Sequence, residues 1–300
     1  MSAPDARAGW LVHVNGRLVP TGQALLSAFD YGFLYGYGLF ETMRAYNGTI
    51  FRLEQHLERL IKGAHLLGFG RSLSGKSLAD ACNETLAENS LKSARVRLTV
   101  SAGIGDGMPD PEACSSPTVM VVAREYSPRT TATYGRGFSA VISRWRRCQD
   151  SALGGIKSLS YAENLLAKFD AQRQGVEEAL FLDGRGLLLE GSMSNVFIVR
   201  EGALATPRPP GILPGITRGD VLNLARSLAT LVEERDIALQ DLFSAQEAFL
   251  TNSVIEVMPL TKVDGKAIGE GRPGPVTRQI AASYRTLVES VTTQGRLTLG

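Results

Sequence analysis

Long apolar runs, histidine, cysteine and lysine are all scarce in this 300-residue chain, and each scarcity narrows what it can do. The longest apolar runs, such as Thr118 to Ala123 and Glu178 to Leu182, are strand-sized, far short of the roughly 18 to 20 residues of a membrane-spanning helix. No membrane anchor is expected. The three histidines, His13, His56 and His65, have no HExxH or other ligand spacing, so metal catalysis is set aside. The three cysteines, Cys82, Cys114 and Cys148, are odd in number and lack a CxxC pair. They suggest neither a disulfide framework nor a zinc site, and read as free thiols. Basic and acidic side chains nearly balance at 32 and 30, and the basic ones are scattered, so nucleic acid is not expected as a partner. Met1 to Gly9 has neither an apolar h-region nor an Arg-rich amphipathic pattern, and a cytoplasmic protein is the expectation.

What the chain does have is hairpin punctuation. Asn15-Gly16 separates Leu11 to Val14 from Arg17 to Val19, and Asn47-Gly48, Asp183-Gly184, Glu201-Gly202 and Asp264-Gly265 also sit between strand-like runs. This favours antiparallel sheet and an α+β class over regular βαβ alternation. Helical periodicity covers Leu53 to Leu67, Leu78 to Glu88, Tyr161 to Gln174, Val221 to Glu234 and Val276 to Val288. The length suits two domains. The polar stretch SPRTTATYGRG marks 128–137 as a linker between a smaller domain, 1–127, and a larger one, 138–300.

Gly70-Arg71-Ser72-Leu73-Ser74-Gly75-Lys76-Ser77 fits the phosphate-loop pattern GxxxxGK[ST], and Ala179 to Asp183 could pass as a strand ending in a magnesium-binding acid. A nucleotide hydrolase is therefore a distant alternative. That chemistry needs a strand before the loop, whereas the segment before this one has helical period, so a connection between two helices fits the same letters.

Three other features bear chemistry. Lys157 follows Gly154-Gly155-Ile156 at a strand-to-helix junction, one of only 7 lysines against 25 arginines. A desolvated lysine there becomes a nucleophilic amine, although a snorkelling lysine fits the same position. Glu190 ends the run Leu187-Leu188-Leu189 before the turn Gly191-Ser192-Met193-Ser194-Asn195. A carboxylate there could pair with a pyridinium nitrogen, or simply be solvated. Gly211-Ile212-Leu213-Pro214-Gly215-Ile216-Thr217-Arg218 precedes a helix, whose N-terminus would suit a phosphate or carry Thr217 as an N-cap.

In order, KSLSYAENLLAK, EALFLDGRGLLLEGSMSNVFIV, GILPGITR and FLTNSVIEVMPL resemble the class IV pyridoxal-phosphate enzymes, which include branched-chain and D-amino-acid aminotransferases and aminodeoxychorismate lyase. The resemblance runs from about Trp10 to Val288 and takes in DYGFLYGYGLFET and RLEQHLERL. It implies a two-domain α+β fold with pyridoxal 5′-phosphate in the cleft between domains, and a homodimer whose pockets borrow a loop from the partner. It further implies Lys157 as the Schiff-base lysine and Glu190 at the pyridine nitrogen. Arg59, Ile216, Thr217 and Ser253 fall at the phosphate, and Tyr161, Ser194 and Asn195 beside the cofactor. Tyr35, Phe40 and Arg97 fall at the substrate. The expected reaction moves an amino group from an amino acid, D- or branched-chain L-, or an amine to a 2-oxo acid, with aminodeoxychorismate lyase as the alternative.

The chain also departs from the family. Many relatives carry Arg at the position of Tyr31 and Asp at that of Tyr37. The turn EGSMSN resembles the D-amino-acid aminotransferases and the lyases, whereas Arg97 aligns with a carboxylate-binding arginine of some branched-chain members. Arg95 shares the sheet face of Arg97. Substrate and subfamily stay open at this point.

Overall fold

The computed structural model describes residues 9–114 and 116–294, in which the chain divides into two compact units. Met1 to Ala8, read above for a targeting signal, lie outside the described residues. One unit runs to Ser127 and includes Ile156–Tyr161 and the chain from Ser290; the other is Pro128–Gly155 with Ala162–Glu289.

The first unit contains β1 (Leu11–Val14), β2 (Arg17–Pro20), α1 (Tyr31–Tyr35), β3 (Gly38–Tyr46), β4 (Thr49–Ile50), α2 (Leu53–Leu66), α3 (Gly75–Glu88), β5 (Ala94–Ser101) and β6 (Thr118–Glu125). Its strands form one antiparallel sheet in the order β2-β1-β6-β5-β3-β4. Strand side chains alternate between faces. Leu39, Met43, Val96, Leu98, Val121 and Ala123 therefore share one face and form a core with Leu57, Leu60 and Ala64 of α2 and Leu78 and Cys82 of α3. The other face carries Phe40, Arg95 and Arg97.

The second unit contains α4 (Thr131–Arg136), β7 (Phe138–Arg147), α5 (Ala162–Arg173), β8 (Glu178–Asp183), β9 (Leu187–Gly191), β10 (Asn195–Arg200), β11 (Ala203–Thr206), α6 (Ile216–Ser227), β12 (Leu231–Glu234), β13 (Ile237–Ala238), α7 (Leu239–Phe243), β14 (Glu247–Asn252), β15 (Glu256–Val263), β16 (Lys266–Ala267) and, as far as Glu289, α8 (Pro275–Gln294). The main sheet runs β12-β11-β10-β14-β15-β7-β8-β9-β13, with β16 on β15. It is mixed: β7 pairs in parallel with β8 and β15, and β11 with β12. Apolar side chains pack on both faces, Leu180, Val196 and Leu250 on one and Phe181, Leu189 and Ala171 of α5 on the other. β8 is buried throughout, which suits its unbroken Ala-Leu-Phe-Leu run.

All five expected turns join antiparallel strands. Asn15-Gly16, Asn47-Gly48, Glu201-Gly202 and Asp264-Gly265 have positive φ at both residues, the geometry whose twist matches that of paired strands. The turn after Asp183 is built differently, with the Asp183 carboxylate accepting from the amides of Arg185 and Leu187.

Two expectations about the helix that follows Pro214 are corrected. The helix expected over Val221 to Glu234 is α6, Ile216–Ser227; Ala229 takes φ 55°, and Leu231–Glu234 pair as a strand. Its N-cap is Gly215 and not Thr217. The stretch 128–137 also holds structure of its own, the short helix α4, with the Thr130 hydroxyl accepting from the Thr133 amide.

Candidate active site

Lys157 lies in the first unit, against the start of β3. The Phe40 amide donates to the Lys157 carbonyl at 2.9 Å, and the Leu159 amide to the Gly38 carbonyl at 2.9 Å. Gly38 permits this approach, because a Cβ there would stand 2.7 Å from Leu159 Cδ1 and 2.6 Å from the Val100 carbonyl oxygen. Lys157 Nζ sits 4.5 Å from the Phe40 ring centre and 5.4 Å from that of Tyr161, and the two rings meet edge to face at 5.1 Å. Arg97 Cζ lies 3.9 Å from the same Phe40 ring, and Arg97 Nε donates to Thr99 Oγ1 at 3.3 Å. Burial, helped by the nearby Arg95, lowers the pKa of Arg97. Among the described residues no carboxylate pairs with it. Lys157, Tyr161, Phe40 and Arg97 thus converge.

Arg59, on α2, makes a side-on pair with Glu41: Nε to Oε1 at 2.8 Å and Nη2 to Oε2 at 2.6 Å. His56 Nδ1 stands 2.7 Å from the same Oε2. Burial pushes the Glu41 pKa up, but the charges and hydrogen bonds of Arg59 and His56 prevail and hold it at about 2. Burial lowers that of His56, against the pull of Glu41. Tyr35 stands at the end of α1, where its hydroxyl donates to the Gly107 carbonyl at 2.6 Å and its ring meets Tyr31 edge-on.

The second unit gathers the remaining expected residues. Glu190 is the penultimate residue of β9, with Oε1 on Arg147 Nη1 at 2.9 Å, while Oε2 accepts from the Leu213 amide at 3.0 Å and Asn195 Nδ2 at 3.2 Å. Asn195 also donates to the Leu213 carbonyl at 2.9 Å, tying the Glu190 turn to the segment that leads into α6. No side chain caps α6, so the amides of its first turn, at Ile216 and Thr217, keep their capacity for an anion. Thr217 is buried, its hydroxyl 3.4 Å from that of Tyr284. The Ser194 hydroxyl donates to Glu178 Oε2 at 2.8 Å. Ser253 follows Asn252, whose Nδ2 donates to the Met193 carbonyl at 2.9 Å.

Sequence reasoning missed Glu41, Glu178 and Arg147. Each had a signal: Glu41 alternates with Leu39 and Met43, Glu178 directly precedes the apolar run Ala179 to Leu182, and Arg147 has the parity of Val141 and Ser143 on β7.

The phosphate-loop letters are overturned as a nucleotide site. Gly75 to Ser77 are the first turn of α3, the preceding regular element is α2, and the exposed Lys76 pairs with Asp80 one turn on. A cavity of about 390 Å³ beside α3, lined by His13, Asn15, Ser77 and Val119 among others, holds none of the expected site residues. Among the described residues no helix is long and apolar enough to cross a membrane.

The family described as amino-transferase class IV matches residues 38–263. A putative branched-chain-amino-acid aminotransferase of Methanocaldococcus jannaschii is 36% identical over 278 residues, covering 92% of this chain and 96% of its own. The solved branched-chain aminotransferase of Escherichia coli superposes with a TM-score of 0.88 at 31% identity, covering 93% of this chain and 94% of that one. The branched-chain aminotransferase of Thermobaculum terrenum, solved in its PLP-form, gives 0.83 at 28% identity, covering 94% of each chain. With a family match over most of its length and relatives alike from end to end, the chain belongs to the class IV aminotransferases.

Proposed function

We propose that this pyridoxal-phosphate-dependent aminotransferase moves the amino group of branched-chain L-amino acids to a 2-oxo acid. The observation that carries the substrate reading is Arg97, a half-buried cation without a carboxylate partner among the described residues, sharing the Phe40 ring with Lys157. A substrate carboxylate supplies that partner, and Phe40 and Tyr161 offer apolar surface to a branched side chain. The names of the relatives point the same way.

The residues fit the cofactor by their chemistry: an amine at Lys157, a carboxylate at Glu190 fixed by Arg147, Asn195 and the Leu213 amide, and an uncapped helix N-terminus at Gly215–Thr217. Bound there, the cofactor supplies the electron sink for the carbanion at the substrate Cα. Lys157 Nζ holds the cofactor and then moves the proton at that Cα. Glu190 faces the ring nitrogen, with Asn195 keeping it in place. The α6 amides, Thr217, Ser253 and Arg59 take the phosphate.

A homodimer belongs to the same proposal. Leu25, Phe29, Phe33 and Met108 of the first unit are more than half exposed, an apolar surface of the kind that marks an interface. All three cysteines are free, which suits a reducing, cytoplasmic compartment.

The test is turnover on a panel of donors with 2-oxoglutarate. L-Leucine, L-isoleucine and L-valine are expected to lead, and Arg97→Met to lower kcat/KM for the acceptor by about a hundredfold, the range of a lost charge-assisted pair. Preference for D-amino acids overturns the substrate class. Release of pyruvate and 4-aminobenzoate from aminodeoxychorismate replaces the reaction with the lyase.

A further inference from the structure

Arg147 is held more firmly than a strand-end arginine needs to be. Its Nε donates to Glu163 at 3.0 Å, Nη2 to Asn164 Oδ1 at 2.7 Å and Nη1 to Glu190 Oε1 at 2.9 Å, while Cζ lies 3.7 Å over the buried Phe181 ring. The Arg147 and Glu190 side chains are only 14% and 9% exposed. Removing two charges from water costs several kcal/mol per ion, and an apolar pair in such a place is often as stable. The pair is therefore weakly explained by stability. The same network grips the turn beyond Glu190, because Asn164 Nδ2 donates to the Ser192 carbonyl at 2.7 Å.

We propose that Arg147 is a positioning residue: it fixes the Glu190 carboxylate and offsets part of its charge, so that the cofactor's ring nitrogen meets an ion pair and not a lone anion. The inference rests on the reading that Glu190 faces that nitrogen. A lone carboxylate would favour the protonated ring most strongly. A guanidinium on its other oxygen weakens that preference and leaves the electron sink below its maximum. Glu163, half-exposed on the far side of Arg147, draws the guanidinium the other way.

The experiment reconstitutes the protein with cofactor labelled with ¹⁵N in the ring and follows the nitrogen shift against pH. Removing the cation in Arg147→Met should raise the protonation midpoint by about one to two pH units, the effect of a near charge on a neighbouring site. Glu163→Gln, a change at the protein surface, should move it the other way by about a few tenths. It also keeps the test alive if the Arg147 variant does not fold. Midpoints that stay in place in whichever variants fold, or that move in the opposite directions, overturn the proposal. Glu190→Gln is the control for the underlying reading: it should lower the midpoint well below that of the unchanged protein. No change in that variant removes Glu190 from the ring nitrogen and the proposal with it, whereas a shift in Glu190→Gln without one in Arg147→Met defeats Arg147 alone.

Discussion

The amine of Lys157 lies over Phe40, with the Tyr161 ring beyond it, while its main chain is bonded to β3. Aromatic faces attract a cation by about 0.5 to 2 kcal/mol and leave its nitrogen accessible to a carbonyl. Replacing the side chain removes only what reaches out from that frame. Lys157→Ala is therefore expected to fold normally, to lose the visible absorbance of the lysine-bound cofactor, and to lose all but a trace of turnover. Unchanged turnover in a spectrophotometric assay sinks the assignment of this lysine. Glu41 presents the opposite case, a group whose work is done before any ligand arrives. By aligning Nε and Nη2 of Arg59 it fixes the fork in one orientation, which would lower the entropy lost if the proposed phosphate bound there.

At the scale of elements, the site depends on how one turn meets one helix. Gly215 caps α6 with φ −65° and ψ 136°, a conformation open to any residue. An added Cβ would nevertheless stand 2.0 Å from Asn195 Oδ1. Gly215→Ala must therefore displace Asn195 and with it the bonds that hold Glu190 and the Leu213 carbonyl. A cofactor dissociation constant raised by about tenfold or more is expected, the effect of losing one or two buried hydrogen bonds. Titration of the apoprotein measures it, and an unchanged constant detaches this contact from the site. Four of the five hairpins were legible in the sequence because each was written in two adjacent residues with a backbone requirement, as in Asn15-Gly16. The end of α6 was not, because Leu228, Leu231 and Val232 satisfy a helical period and a short strand alike, and only pairing with β11 decides. Lys157 and Glu190 could be singled out in the sequence because each sits in a motif of neighbouring residues. The Glu41–His56–Arg59 cluster was not, since it joins a strand to a helix by a side chain 15 residues from His56.

Across the whole molecule, the same buried cluster ties stability to pH. Glu41 titrates at about 2 in the folded chain against an ordinary 4.5, so its contribution is complete above pH 4.5 and is lost as the pH falls toward 2. The shift corresponds to about 3 kcal/mol, since one unit is worth about 1.4. His56 acts in the same direction by the converse route. Its folded pKa lies below 6.5, so between 6.5 and that lower value the unfolded chain binds a proton that the folded chain refuses, and acid favours unfolding. Stability should therefore begin to fall below pH 6.5 and fall further below 4.5. Urea midpoints measured from pH 7.5 to 3 should trace this decline. Glu41→Gln should start less stable at neutral pH, with the half-buried Arg59 left facing a neutral amide, yet show a shallower slope below pH 4.5 by about one proton. Equal slopes in the two proteins would mean that the acid limb is set by other carboxylates, and that Glu41 is not the group through which acid reaches the Arg59 cluster.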